Sequence, residues 1–410
     1  MTEATSRITQ AVDTLNCDAR PGVRNRLAAV CTQGGGQLGV DGLGHAGRAS
    51  GLPVLAEVIR RWPIRPCQLV LVTHLLDTAV PYVQALAAVM ELNRVVAVPY
   101  SVRRSAAALL TGQPVCVPSS LDELAQVVVD AACRATTLGS VIVQEVGGYC
   151  APWVRQLARA GVLGVVEDTK QGQWAYQRQT PLPLPVFTIA DSPLKALEDV
   201  QVGRSIAYSV DRLLRTRFYR LLAECRVTVL GYGGIGTALV DHLQRHGARV
   251  SVYDPDPVRM AAAVLRGARV GERAELLNGA EVIIGVSGHR ALTAEDIDLL
   301  PDGAVLASGS SKQVEFDVPG LLARANATVT VDEVTELAAG DRTIYLLNEG
   351  KPVNFLEQSV LGRVLDLVYS ELYLCTAQLA CLPHRPGLRR LQPDLQAKLA
   401  GIWSACYGQR

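Results

Sequence analysis

Residues 226–254 read Arg226-Val-Thr-Val-Leu-Gly231-Tyr-Gly233-Gly-Ile-Gly236-Thr-Ala-Leu-Val-Asp-His-Leu-Gln-Arg-His246-Gly247-Ala-Arg-Val-Ser-Val-Tyr-Asp254, and this stretch decides the fold. An apolar β-branched run stops at a glycine turn, a helix-like segment follows to His246-Gly247, and a second strand-like run ends in an acid. Gly231 permits the tight turn, Gly233 lets backbone N–H groups approach a pyrophosphate, and Gly236 lets the helix pack closely. The glycines Gly231, Gly233, Gly234 and Gly236, with Tyr232 and Ile235 between them, are therefore candidate cofactor contacts. Asp254 lies about 20 residues on, where a carboxylate suits a ribose 2′-hydroxyl and repels a 2′-phosphate. NAD is the expected cofactor. The similar string Gly34-Gly-Gly36-Gln-Leu-Gly39 has no convincing strand before it and no strand-ending acid after it, so it reads as loop.

Working outward, the strand-like runs Glu281–Ser287, Ala304–Ser308, Thr328–Val331 and Thr343–Leu347 complete a nucleotide-binding sheet. Upstream, Gln68–Thr73, Arg94–Pro99, Val141–Val146 and Val162–Val166 alternate with helical stretches such as Pro81–Glu91 and Leu121–Ala135, a second βαβ series. Pro181-Leu-Pro-Leu-Pro185 breaks that rhythm, and Ser205–Glu224 reads as a long helix leading into the nucleotide domain. The helical segment from Val360 to Ala380 is too short to fold alone and is expected to return to the first domain. The expected class is α/β: two doubly wound parallel-sheet domains, with the Rossmann NAD-binding domain inserted between the parts of a substrate domain. The boundaries read 1–204 for the substrate domain, 205–352 for the NAD domain and 353–410 for the returning helices, with the substrate expected in a cleft.

At 410 residues the chain is long enough for two or three domains. Forty basic residues against thirty-nine acidic ones leave a charge of +1, no field to steer toward nucleic acid or an anionic membrane. Ten cysteines lie scattered with no Cys-x-x-Cys pair and the start shows no apolar signal core, so a reducing cytoplasm is expected. No apolar run reaches the roughly 18 residues of a membrane span. Metal-ligand spacings and a nucleophile elbow are both absent, which leaves hydrolysis by metal or serine unsupported.

In Ala190-Asp-Ser-Pro-Leu-Lys195-Ala-Leu-Glu-Asp199, a helix would put Lys195 and Asp199 on one face, four residues apart. On spacing alone an ordinary surface ion pair is the more frequent reading. His74 follows the run Val-Leu-Val-Thr73 at the carboxyl end of a strand, where α/β sheets gather ligands. Gly164-Val-Val-Glu167-Asp168-Thr169 ends another strand in two carboxylates, with an N-cap role for Asp168 as the bland alternative.

Together these pieces resemble the S-adenosylhomocysteine hydrolase family, in order from about Leu52 to Asn354. The matching segments are Leu52-Pro-Val-Leu-Ala, His74, Gly164-Val-Val-Glu-Asp168-Thr, Asp191-Ser-Pro-Leu-Lys195-x-x-x-Asp199, the Gly231 loop, Val314-Glu-Phe-Asp317 and Leu346-Leu-Asn-Glu-Gly-Lys-Pro-Val-Asn354. The resemblance implies a redox-neutral cycle on a ribose-type sugar: bound NAD oxidises the 3′-carbon, the C4′ proton becomes acidic, and a group at C5′ leaves by β-elimination. It gives Lys195 and Asp199 the 3′ oxidation and C4′ proton, His74 the proton at C5′, and Asp168 a hold on the sugar. Glu145 joins them as a catalytic candidate, one place before the position where the family carries its acid. Thr169, Ser287, Gly288, Ser311 and Asn354 are implied cofactor contacts, the substrate is a nucleoside-type small molecule, and a homo-oligomer, dimer or tetramer, is expected.

The departures concern the substrate clamp. Val200 stands where the family has Asn, Val146 where it has the acid, and Ser310-Ser-Lys-Gln313 where it has Gly-His-Phe-Asp, so Ser311 replaces a histidine. The Gly-His-Pro-Ser segment after Asn354 is missing, the threonine run is reduced to Thr169-Lys-Gln, and Tyr407-Gly-Gln-Arg410 does not match the Lys/Tyr-bearing tail. What is kept serves oxidation and elimination, and what is changed recognises adenine. The expected activity is a nucleoside dehydratase of specialised, antibiotic-type metabolism; the alternatives are adenosylhomocysteinase proper, an inactive NAD-binding regulator, and a plain dehydrogenase.

Overall fold

A computed structural model of the chain describes residues 51–408; the Gly34–Gly39 string lies outside the described residues. The chain divides into two units: one holds the chain up to Leu194 together with the stretch from Arg363 onward, the other runs from Lys195 to Gly362. These crossings fall ten residues before and ten after the boundaries read from sequence. At the first, the helix Lys195–Phe218 runs unbroken through position 204, and its Gly203 lies against Leu239 of the helix that follows the glycine loop. At the second, Gln358 and Ser359 take left-handed backbone and Gly362 follows at φ 99°, so the returning helix starts only at Val364 and ends at Cys381.

The first unit holds strands β1 (Gln68–Leu75), β2 (Glu91–Val102), β3 (Val115–Cys116), β4 (Val141–Glu145), β5 (Gly164–Glu167), β6 (Pro185–Thr188) and, from the returning chain, β15 (Gly387–Arg389). They form one parallel sheet in the order β15-β6-β5-β4-β1-β2-β3. β1 shows why it is doubly wound: Leu69 and Leu71 join one apolar cluster and Val70 and Val72 the other, so both faces are covered. Leu86 and the returning Leu372 and Leu399 pack on the first face, Leu124, Val128 and Leu157 on the second. The Pro181–Pro185 stretch, read as a break, ends by starting β6, since Pro185 takes the first strand position, where a missing N–H costs least.

The second unit holds β7 (Arg226–Leu230), β8 (Arg249–Tyr253), β9 (Arg269–Val270), β10 (Val282–Gly285), β11 (Val305–Ser308), β12 (Ala327–Val331), β13 (Val334–Ala339) and β14 (Arg342–Leu347). The order is β12-β13-β14-β11-β10-β7-β8-β9. Strands β7 to β11 and β14 are parallel, but β12 and β13 run as an antiparallel edge on β14. Thr328–Val331 is thus a hairpin arm rather than a further βαβ strand; only two residues, Asp332 with φ 52° and Glu333, separate it from β13. Both sheets reverse their winding next to the first strand, between β1 and β4 and between β7 and β10, and doubly wound folds bind ligands at the carboxyl side of that point. No helix among the described residues is long and apolar enough to cross a membrane.

Candidate active site

In the second unit, Gly231 leaves β7 with φ 105°, and a Cβ there would come within 2.7 Å of Ser287, on the loop after β10. The turn closes on the switch-point neighbour, and only glycine fits. At Gly233, by contrast, a Cβ would meet nothing nearer than Arg259 Nη1 at 4.0 Å, so the surface over the loop is open to a ligand. The helix Gly234–Arg245 starts there with no side-chain cap, leaving its first N–H groups to an anion such as pyrophosphate. Asp254 ends its strand as expected and is buried: it accepts from the Tyr232 N–H at 2.7 Å and the Asp256 N–H at 2.9 Å, with Arg259 at 3.3 Å. Besides any ribose contact, it pins the glycine loop to the neighbouring strand.

Ser287 and Gly288 meet at a residue that carried no role in the sequence reading. Glu315, fully buried, accepts from the Ser287 hydroxyl at 2.8 Å, the Gly288 N–H at 2.6 Å and the Ser310 hydroxyl. It ties the loops that follow β10 and β11. Burial pushes its carboxyl above the usual range, against the pull of those donors. The signal available was its place in the Val314–Asp317 motif. Of the five buried side-chain polar atoms without a partner among the described residues, two lie together here, the Ser308 hydroxyl at the end of β11 and Asn354 Oδ1, since Ser308 bridges to Pro352, two residues before Asn354. An open glycine cradle, an uncapped helix start, a ribose-side acid and these two orphaned groups fit a dinucleotide.

Lys195 begins the helix Lys195–Phe218, and its ammonium pairs with Glu198, a partner one residue before the expected Asp199. The Asp199 carboxylate lies against Gly234, where any Cβ would overlap it, at the positive end of the cofactor helix. Asp199 thus also borders the glycine loop, and Glu198 is a partner of Lys195 that four-residue spacing did not single out.

In the first unit, His74 Nδ1 is 2.7 Å from the Ser101 hydroxyl oxygen, and Ser101 donates to the Val98 carbonyl at 3.1 Å. Ser101 therefore accepts from Nδ1–H, which assigns Nε2 as the basic nitrogen of the ring. Glu145 is fully buried and accepts hydrogen bonds from the Tyr176 hydroxyl and from the Cys150 N–H at 3.2 Å. It pairs in register with Glu167, whose oxygens accept from the Gly147 and Gly148 N–H groups at 2.9 Å and from Thr169. Burial and the Glu145 charge push the Glu167 carboxyl up to about 8. Thr169 is the N-cap of the helix Lys170–Gln177, accepting from Gly172 N–H at 3.1 Å, which corrects the cap assigned to Asp168 and gives Thr169 a structural task. Asp168 stays half-buried at the end of β5.

Residues 206–360 match the model of the S-adenosyl-L-homocysteine hydrolase NAD-binding domain. The S-inosyl-L-homocysteine hydrolase of Methanosarcina acetivorans is 32% identical over 53% of this chain and 54% of its own length. The adenosylhomocysteinase of Archaeoglobus fulgidus is 33% identical over 48% and 49%. Over residues 206–360 the chain is similar to the NAD-binding domain of the adenosylhomocysteinases. Its cofactor is NAD. The matched stretches span about half the length of these curated relatives.

Proposed function

We propose that this chain is a nucleoside dehydratase of the adenosylhomocysteinase family: it oxidises the sugar transiently at C3′, eliminates water across C4′ and C5′, and restores the 3′-hydroxyl. The retention of Lys195, Asp199 and His74 beside a changed clamp carries this reading. Bound NAD would supply a hydride acceptor that gives the hydride back, so the cycle needs no external reductant. It would be held by the Gly231–Gly236 loop, Asp254, Ser308 and Asn354. Lys195, oriented by Glu198, would act in its neutral amine form to take the 3′-hydroxyl proton. The C4′ proton, acidified by the neighbouring ketone, is taken by the Lys195–Asp199 set. Protonated His74 would give its proton to the departing C5′ hydroxyl, which leaves as water; the proton taken from C4′ would return to His74 through solvent, and Lys195 would give its proton back to the 3′-oxygen as the alcohol is restored. The sum is loss of one water, with no net redox change. Asp168 holds the sugar.

Incubation of the purified protein with purine nucleosides and mass analysis tests this. The expected product is lighter by one water, with no accumulation of reduced cofactor. Rapid release of homocysteine from S-adenosylhomocysteine, or of its inosine counterpart, would replace the dehydratase by the hydrolase chemistry named for the relatives. That second reading is favoured by those names.

A further inference from the structure

Three neighbouring parallel strands of the first unit, β5, β6 and β15, each release a charged residue just beyond their carboxyl ends: Lys170, Asp191 and Arg390. Lys170 pairs with Asp191 Oδ1, and Arg390 Nη2 is 2.6 Å from Oδ2. The carboxylate is fixed from below by the buried Gln173, which donates to Oδ2 at 2.8 Å and is itself held by the Thr188 hydroxyl at 3.1 Å. Two cations on one carboxylate leave an excess positive charge. Their side chains remain 44% and 59% exposed, so the excess faces solvent.

Helix sense sharpens the point. Lys170 is the first residue of the helix Lys170–Gln177, whose first turn carries no acid. A cation at that end is disfavoured by about 0.3–1 kcal/mol, because the helix dipole is already positive there. The local rule is broken in the direction of more positive charge, and departures of that kind gather at functional sites. Arg390 uses one N–H toward Asp191, and a guanidinium has five, in a fork that fits a carboxylate or phosphate. The carboxyl edge of a doubly wound sheet is also where ligands lie.

We propose that Lys170 and Arg390, positioned by Asp191 and Gln173, bind an anionic group of the substrate, a carboxylate or a phosphate. The body of that substrate rests on the nucleoside reading; the anion site does not, and the two separate experimentally. Calorimetric titration of the full chain at low ionic strength would use inorganic phosphate and acetate first. Saturable binding of at least one is expected, weakened about tenfold by Lys170→Ala or Arg390→Ala, since each removes one charge-assisted contact. The same titration with orotidine, adenosine 2′-monophosphate and the uncharged nucleosides uridine and adenosine, all with a free 5′-hydroxyl, then identifies the source: a carboxylate or a phosphate tail should bind at least about tenfold tighter than the uncharged counterpart, and Arg390→Ala should close the gap. Anion binding without nucleoside binding would sustain the site and remove the nucleoside reading. Nucleoside binding indifferent to the tail, a gap that survives both variants, or no saturable binding of any probe would overturn the site.

Discussion

Lys195 is the residue whose neighbourhood the fold changed most. Four-residue spacing pointed to Asp199; Lys195 also pairs with Glu198, and Asp199 lies against the start of the cofactor helix at Gly234. The arrangement has a chemical use: the ion pair orients the amine, while Asp199 borders the loop that holds the dinucleotide. Lys195→Ala is accordingly expected to cut turnover by about 10²–10⁴, the usual worth of a proton-transfer group, and to leave the copurified NAD content unchanged. Glu198→Gln, which keeps shape and loses the ion pair, should cost about tenfold through orientation alone. Reduced-nicotinamide absorbance during turnover and the NAD released on denaturation read the two effects. Normal transient reduction in Lys195→Ala would remove it from the 3′ chemistry. The glycine loop was legible because only a few residue types satisfy its backbone. The pairing of Lys195 with Glu198 was not, since i,i+3 and i,i+4 neighbours lie equally within reach on a helix.

At the scale of the element, β4 and β5 place Glu145 and Glu167 in register and bury both, so two carboxyls share a region that water does not reach. The strand runs were readable from their β-branched stretches, but the fate of an acid at a strand end was not: Asp254 and Glu145 look alike in sequence, and the second proves to brace Tyr176 and the turn at Cys150. The consequence is measurable. Glu167 is raised from 4.5 to about 8, so the protonated form is favoured by folding. Its contribution is fully present below the ordinary glutamate range and is lost as pH rises through about 8. The thermal midpoint should therefore fall across that window. Glu145→Gln keeps the acceptor for Tyr176 and removes the opposing charge, which brings Glu167 back toward its ordinary value and flattens the slope. Midpoints recorded for wild type and variant across the window check this; an unchanged slope would show that burial alone holds the proton.

At the scale of the molecule, the returning chain is joined to the first unit by polar contacts as well as by its apolar helices. Expecting its return from sequence needed only its length; seeing how it is held needed the fold. The helix Pro53–Arg61 has no cap of its own, and its opening Val54 and Leu55 N–H groups donate at 2.9 Å to Asp366, more than 300 residues later in sequence. Tyr407 donates its hydroxyl to the same carboxylate at 2.8 Å. A few positions on, Glu371 accepts from the Ser192 hydroxyl at 2.7 Å and from Gln396 at 2.9 Å, so the last residues before the first crossing are tied to the first helix after the second. Such remote partners leave no periodic or motif signature. Asp366→Ala would leave two N–H groups and a hydroxyl without their acceptor in a site that is 1% exposed, at a cost of about 2–4 kcal/mol by the usual penalty for unpaired buried donors. The expected result is a lower denaturation midpoint for the substrate unit, followed by its tryptophan signal, with Asp366→Asn milder because it keeps one acceptor oxygen. NAD affinity should hold in both variants, because the cofactor residues belong to the other unit. A midpoint indifferent to Asp366→Ala would mean that the apolar packing of Leu367, Leu372 and Leu399 suffices to hold the returning chain, and that the shared carboxylate adds nothing to it.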